Sequence, residues 1–92
     1  MRYRLTVDFE NCMARYGLDE ADRRRIRKAL ALFEADERYP SLRSGKLEGH
    51  PGCWYVRASL TLRLVYSREA EEAVFWWVGR HDDFGRRFKG GG

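Results

Sequence analysis

The sequence predicts an α+β domain: an N-terminal strand, a helical hairpin, then a three-stranded antiparallel β-meander with the helices packed on one sheet face. Three observations predict it. Tyr3, Leu5, Val7 and Phe9 alternate with Arg4, Thr6 and Asp8, the period of a half-buried strand. Ile26, Ala29, Leu30 and Phe33 recur at helical spacing, with Arg23, Arg24, Arg27 and Lys28 on the other side. Three apolar segments then follow one another with only short connections, at residues 53–58, 62–67 and 73–79.

Each element has local support. Residues 10–16 suit a short helix closed near Gly17, and Asp19 suits the N-cap of the next, with Glu20 and Asp22 in its first turn. That helix is expected to end near Arg38, because Tyr39-Pro40 breaks it. The stretch PSLRSGKLEGHPG, residues 40–52, reads as a linker. The third segment, AVFWWVG, is apolar at every position, which suits a strand with neighbours on both sides; Trp54, Trp76 and Trp77 read as core. Residues 1–89 form the expected single domain and residues 90–92 a flexible glycine tail.

Composition narrows the function classes. A chain of 92 residues holds one core, and its longest apolar run falls far short of the roughly 18 residues that span a bilayer. MRYRLTVDFE is not a signal peptide, so the expected location is cytoplasmic. Cys12 and Cys53 are too few for a disulfide framework, and with His50 and His81 they match no common zinc spacing; no metal or cofactor is expected. The net charge of +4 is unevenly placed. Residues 1–37 balance eight basic against eight acidic groups, whereas residues 38–68 carry six basic and one acidic. That distribution suits a polyanion meeting the second half of the chain. The RRRIRK run of residues 23–28 is flanked by acids on both sides and reads as a solvated helix face or a partner-binding surface.

If Ser59-Leu60-Thr61 forms the loop between the first two meander strands, Arg57 lies opposite Arg63, on the face of Tyr55 and Val65. Like charges so placed destabilise an antiparallel pair unless solvent screens them or an anion bridges them.

KLEG at 46–49, WYVR at 54–57, LRLVY at 62–66 and VGRHDDF at 78–84, in that order and spacing, resemble the RelE/ParE toxin superfamily. The resemblance covers nearly the whole chain. It implies the toxin of a type II toxin–antitoxin system with a cognate antitoxin as partner. In the RelE-like branch, including YafQ-type members, it implies a ribosome-dependent endoribonuclease that cleaves mRNA and so inhibits translation. In the ParE-like branch it implies an inhibitor of DNA gyrase that is not a nuclease. An inactive binding module on the same fold is a third reading.

Carried over position by position, the resemblance puts Arg63 at the scissile phosphate and Arg57 on a basic position of the preceding strand. His81 falls where relatives carry a catalytic arginine or histidine. Lys46, Tyr55, Phe84 and Arg80 become RNA-contact candidates, with His50 and Asp82 accessory. Histidine suits proton transfer near neutrality, and Asp82 is placed to orient it. Where many members end in a functional tyrosine, this chain has Phe84 and Phe88, which cannot move a proton.

Overall fold

The computed structural model describes residues 1–88, so the glycine tail lies outside the described residues. The elements are β1 (Arg2–Leu5), α1 (Val7–Arg15), α2 (Glu20–Ala35), a 3-10 turn (Pro40–Leu42), β2 (Gly45–Lys46), β3 (Cys53–Arg57), β4 (Leu62–Glu69), β5 (Glu72–Arg80) and α3 (His81–Arg87). They build one five-stranded sheet in the order β1-β5-β4-β3-β2. The meander is antiparallel as expected, and β1 joins its outer edge parallel to β5, from Arg2 opposite Glu72 to Leu5 opposite Phe75.

β1 is shorter than the alternation suggests. Thr6 caps α1 by accepting from the Phe9 amide at 3.2 Å, which pulls Val7 and Phe9 out of the strand and into the helix. Phe9 is buried either way, so periodicity alone could not place the boundary. Gly17, at φ +60, closes α1. Asp19 then caps α2 as expected, in a reciprocal pair with Asp22: each side chain accepts from the other's amide, at 2.8 and 3.1 Å. α2 stops at Ala35 rather than Arg38, because the Asp36 carboxylate accepts from the Arg38 amide and turns the chain before Pro40 is reached.

The helical hairpin covers one sheet face. Phe33 meets Tyr66 and Phe75 edge-on at 5.0 and 5.2 Å between ring centroids, and Phe9 meets Phe75 at 6.3 Å. The other face is not left to solvent. The stretch after β5 forms α3 and turns back over the sheet. Its Phe84 and Phe88, both 1% exposed, pack on Trp77. Burying each ring contributes about 2–3 kcal/mol, enough to hold so short a helix in place.

A bulge makes this second core. Val65 faces Trp77 but Tyr66 faces Phe75, so β5 has Trp76 as an extra residue there. The insertion puts Trp77 on the α3 side while Phe75 stays on the hairpin side. This is how AVFWWVG is apolar throughout: Phe75 and Trp77 serve different cores, and Trp77 is buried as expected. Trp54 and Trp76 are only half-buried, so the expectation that they are core holds in part. β2 was hidden in the predicted linker, where its two residues carry no strand pattern.

Candidate functional site

The three-residue loop Ser59–Thr61 sets the register of the β3–β4 hairpin. The Ser59 hydroxyl accepts from the amides of Thr61 and Leu62, both at 3.2 Å, and Ala58 donates to the Leu62 carbonyl at 2.9 Å. Arg57 therefore stands directly opposite Arg63, and Tyr55 opposite Val65. Both arginines share the face that α3 covers.

Arg63 is 3% exposed. Its guanidinium carbon lies 4.8 Å from the Phe84 ring centre and 5.6 Å from that of Tyr55. Phe84 and Tyr55 also touch each other, at 5.4 Å between centroids, so the two rings and the guanidinium form one stack. Burial pushes the Arg63 guanidinium below its ordinary pKa, and the Arg57 charge pushes it further in the same direction. Arginine stays protonated regardless. Arg57 is half-buried, with its Nε enclosed and making no hydrogen bond.

Glycines shape this face. A Cβ on Gly45, opposite Tyr55, would come within 2.7 Å of the phenol oxygen, so this position fixes the ring beside Arg63. Gly79 faces Arg63 across the β4–β5 pair, and a Cβ there would meet the Trp77 ring at 2.6 Å. The VG in the sequence is thus a packing requirement of α3.

His81 opens α3, exposed, and its amide donates to the Thr61 carbonyl at 2.7 Å, which ties it to the hairpin loop. It is at the Arg57–Arg63 end of the sheet, since Leu62 pairs with Arg80. Among the described residues no hydrogen bond joins Asp82 to His81. Asp83 is engaged elsewhere, accepting from the Arg80 amide and from Arg86.

Four of the other candidates are placed differently from the expectation. Arg80 points to the hairpin face, where it donates to the Tyr16 carbonyl at 2.6 Å and to Asp22 Oδ2 at 2.8 Å. It fastens β5 to the α1–α2 junction. Phe84 is buried against Arg63 and Trp77, so it cannot offer a face to a base in this conformation. Lys46 pairs with Trp54, one step out of phase with Tyr55, and its Nζ rests 5.5 Å from the Trp54 ring centre on the opposite sheet face. His50 packs edge-on against Phe88 at 5.5 Å. That is the far end of α3, roughly 10 Å along the helix from His81.

The remaining predicted residues, Arg57, Arg63, Tyr55 and His81, lie together at one end of the sheet. Sequence reading missed three cations near that end. Arg25, Lys28 and Arg43 line a cleft of about 360 Å³ that also reaches Arg57. For Arg25 and Lys28 the signal was the RRRIRK run, where they stand one helical turn apart on the side of α2 that borders the 3-10 turn; Arg43 had none.

No helix among the described residues is long and apolar enough to cross a membrane. No family model and no curated protein matches the chain. Solved structures do. YafQ from E. coli strain BL21(DE3) superposes with a TM-score of 0.72 at 11% identity, covering 91% of this chain and 98% of that one. A copper-bound mutant toxin from Helicobacter pylori gives 0.69 at 18%, over 90% and 97%. A YoeB/ParE toxin from Agrobacterium tumefaciens gives 0.65 at 16%, over 88% and 99%. YafQ is also solved as the E. coli DinJ-YafQ toxin-antitoxin complex. The chain therefore has the fold of these toxins, at sequence identities that speak to fold alone.

Proposed function

We propose that this chain is the toxin of a toxin–antitoxin pair, a metal-independent endoribonuclease that cuts mRNA on the ribosome. One observation carries the reading: Arg57 and Arg63 face each other, partly desolvated, on one sheet face. An arrangement that destabilises the free protein is what a site for a phosphodiester requires. The fold shared with YafQ and YoeB/ParE toxins supports the same reading, and the DinJ–YafQ complex supports an antitoxin as partner.

In this reaction the ribose 2′-OH attacks the adjacent phosphorus. A base removes its proton, a negative phosphorane develops, and the 5′-oxygen leaves with a proton from an acid. The products are a 2′,3′-cyclic phosphate and a 5′-hydroxyl. Arg57 and Arg63 stabilise the phosphorane, and Tyr55 stacks on a neighbouring base. His81 is the proton-transfer group, at the site's edge and exposed to a substrate. Arg63 is reached once the Phe84 ring swings aside.

The test is induction of wild type, His81→Ala and Arg63→Ala, with mRNA 5′ ends mapped within minutes. Codon-positioned ends should appear with wild type and fall at least 100-fold in each variant. Wild type yielding no new ends removes the nuclease reading. The burial of Arg63 beneath Phe84, where a tyrosine would serve catalysis, favours a second reading, a non-catalytic inhibitor such as one of DNA gyrase. A supercoiling assay with purified gyrase reads that out directly.

A further inference from the structure

The cleft between α2, the 3-10 turn and the β3–β4 loop has no role in the reading above. Four of its lining side chains are basic, Arg25, Lys28, Arg43 and Arg57, and none is acidic. Its floor is aliphatic, from Leu32 and Leu42. The nearest carboxylate is Asp22, 3.5 Å from Arg25, and Asp22 is already held at 2.8 Å by Arg80. Arg43 has φ +45 and ψ +51, a left-handed conformation that a non-glycine residue adopts at a cost. That conformation ends the 3-10 turn with an arginine in a place where glycine would suit the backbone better.

Arg57 lines this cleft and also faces Arg63. Arg57 is therefore a member of both basic regions, and its buried Nε makes no hydrogen bond. We propose that the cleft is a second phosphate subsite, which takes a backbone phosphate of the same RNA strand next to the one held at Arg57 and Arg63. The inference rests on the nuclease reading and extends it from one phosphate to a directed strand. Guanidinium forks and an ammonium suit phosphodiester oxygens. The cleft has no aromatic lining, so it holds backbone and leaves base stacking to Tyr55. An acidic protein segment is the competing occupant, and continuity with the arginine pair favours RNA.

The experiment uses the purified chain and a fluorescent 2′-O-methyl RNA hexamer, which cannot be cut, with anisotropy measured across a salt series. The cleft variant is Arg25→Ala/Lys28→Ala/Arg43→Gly. Arg43→Gly suits the local φ, and thermal melting verifies that the variant is folded. Its affinity for RNA should fall at least tenfold, and the slope of log K against log salt should shrink by about 0.7, the value for one lost phosphate contact on a single strand. Arg63→Ala, the arginine-pair variant that leaves every cleft residue in place, is measured alongside and reports on the first site separately. Unchanged affinity and slope in the cleft variant, with a loss in the arginine-pair variant, overturns the subsite and leaves the nuclease reading standing. RNA affinity unchanged in the arginine-pair variant counts against that reading itself. Unchanged RNA binding with lost binding of a Glu/Leu-rich peptide assigns the cleft to a protein partner and overturns the proposal.

Discussion

Two arginines on opposite faces of the same sheet, Arg80 and Arg63, are treated in opposite ways. Arg80 is given partners within the chain: a carboxylate at 2.8 Å and a backbone carbonyl at 2.6 Å, where α1 passes into α2. Arg63 is more deeply buried, stacked on two rings, and set against another arginine. The first arrangement spends a charge on holding the fold. The second packs a charge against two rings and beside a like charge, and burial and that neighbour both push its pKa down. Reading function from burial alone would confuse the two; the sign of the neighbours separates them.

The sharpest way to break the comparison is Arg80→Ala. It leaves Asp22, 6% exposed, without its main cationic partner, and should destabilise the protein by about 3 kcal/mol in urea unfolding. Arg63→Met should behave differently. The lost stacking is offset by relief of desolvation and of the Arg57 repulsion, so stability should stay within about 1 kcal/mol of wild type. Inorganic phosphate should raise the melting temperature of wild type and should not raise that of Arg63→Met. A large loss of stability in Arg63→Met, with the phosphate response intact, would make Arg63 structural.

The smallest effect is one of pH. Asp19 is held below the usual carboxylate range first by the Asp22 amide, with the Asp22 side chain and Arg80 adding to it against some desolvation. A carboxylate whose folded pKa is depressed adds stability above its unfolded value, near 4, and loses it as pH falls through the folded value. Acid titration of stability should therefore show a small component below about pH 4 that Asp19→Asn removes. Acid titration thus tests the hairpin side and anion binding the α3 side.

What the sequence made legible follows the same division. The caps, the hairpin register and the order of elements were readable because each depends on neighbours in the chain: Asp19 with Asp22, Ser59 with Leu62, Arg57 with Arg63. α3 was not readable. Seven residues, HDDFGRR, with a glycine among them are too few for a helical signature of their own, and the helix exists because Phe84 and Phe88 find Trp77 across the sheet. Arg80 and Phe84 were RNA-contact candidates by resemblance, and their partners in the fold lie 58 and 21 residues away, at Asp22 and Arg63. The cleft was missed because its cations come from α2, the 3-10 turn and β3, and only the fold assembles them.

The parallel pairing of β1 with β5 joins Arg2 to Glu72. A chain growing from its N-terminus cannot seat its first strand until its last one has been made. Arg57 and Arg63 come next to last, and α3, which closes over Arg63, is later still. Long-range closure of this kind is slow compared with local helix formation. During synthesis the helical hairpin is therefore available before any of the arginine face exists. A partner that engages the hairpin would meet this protein before it is complete.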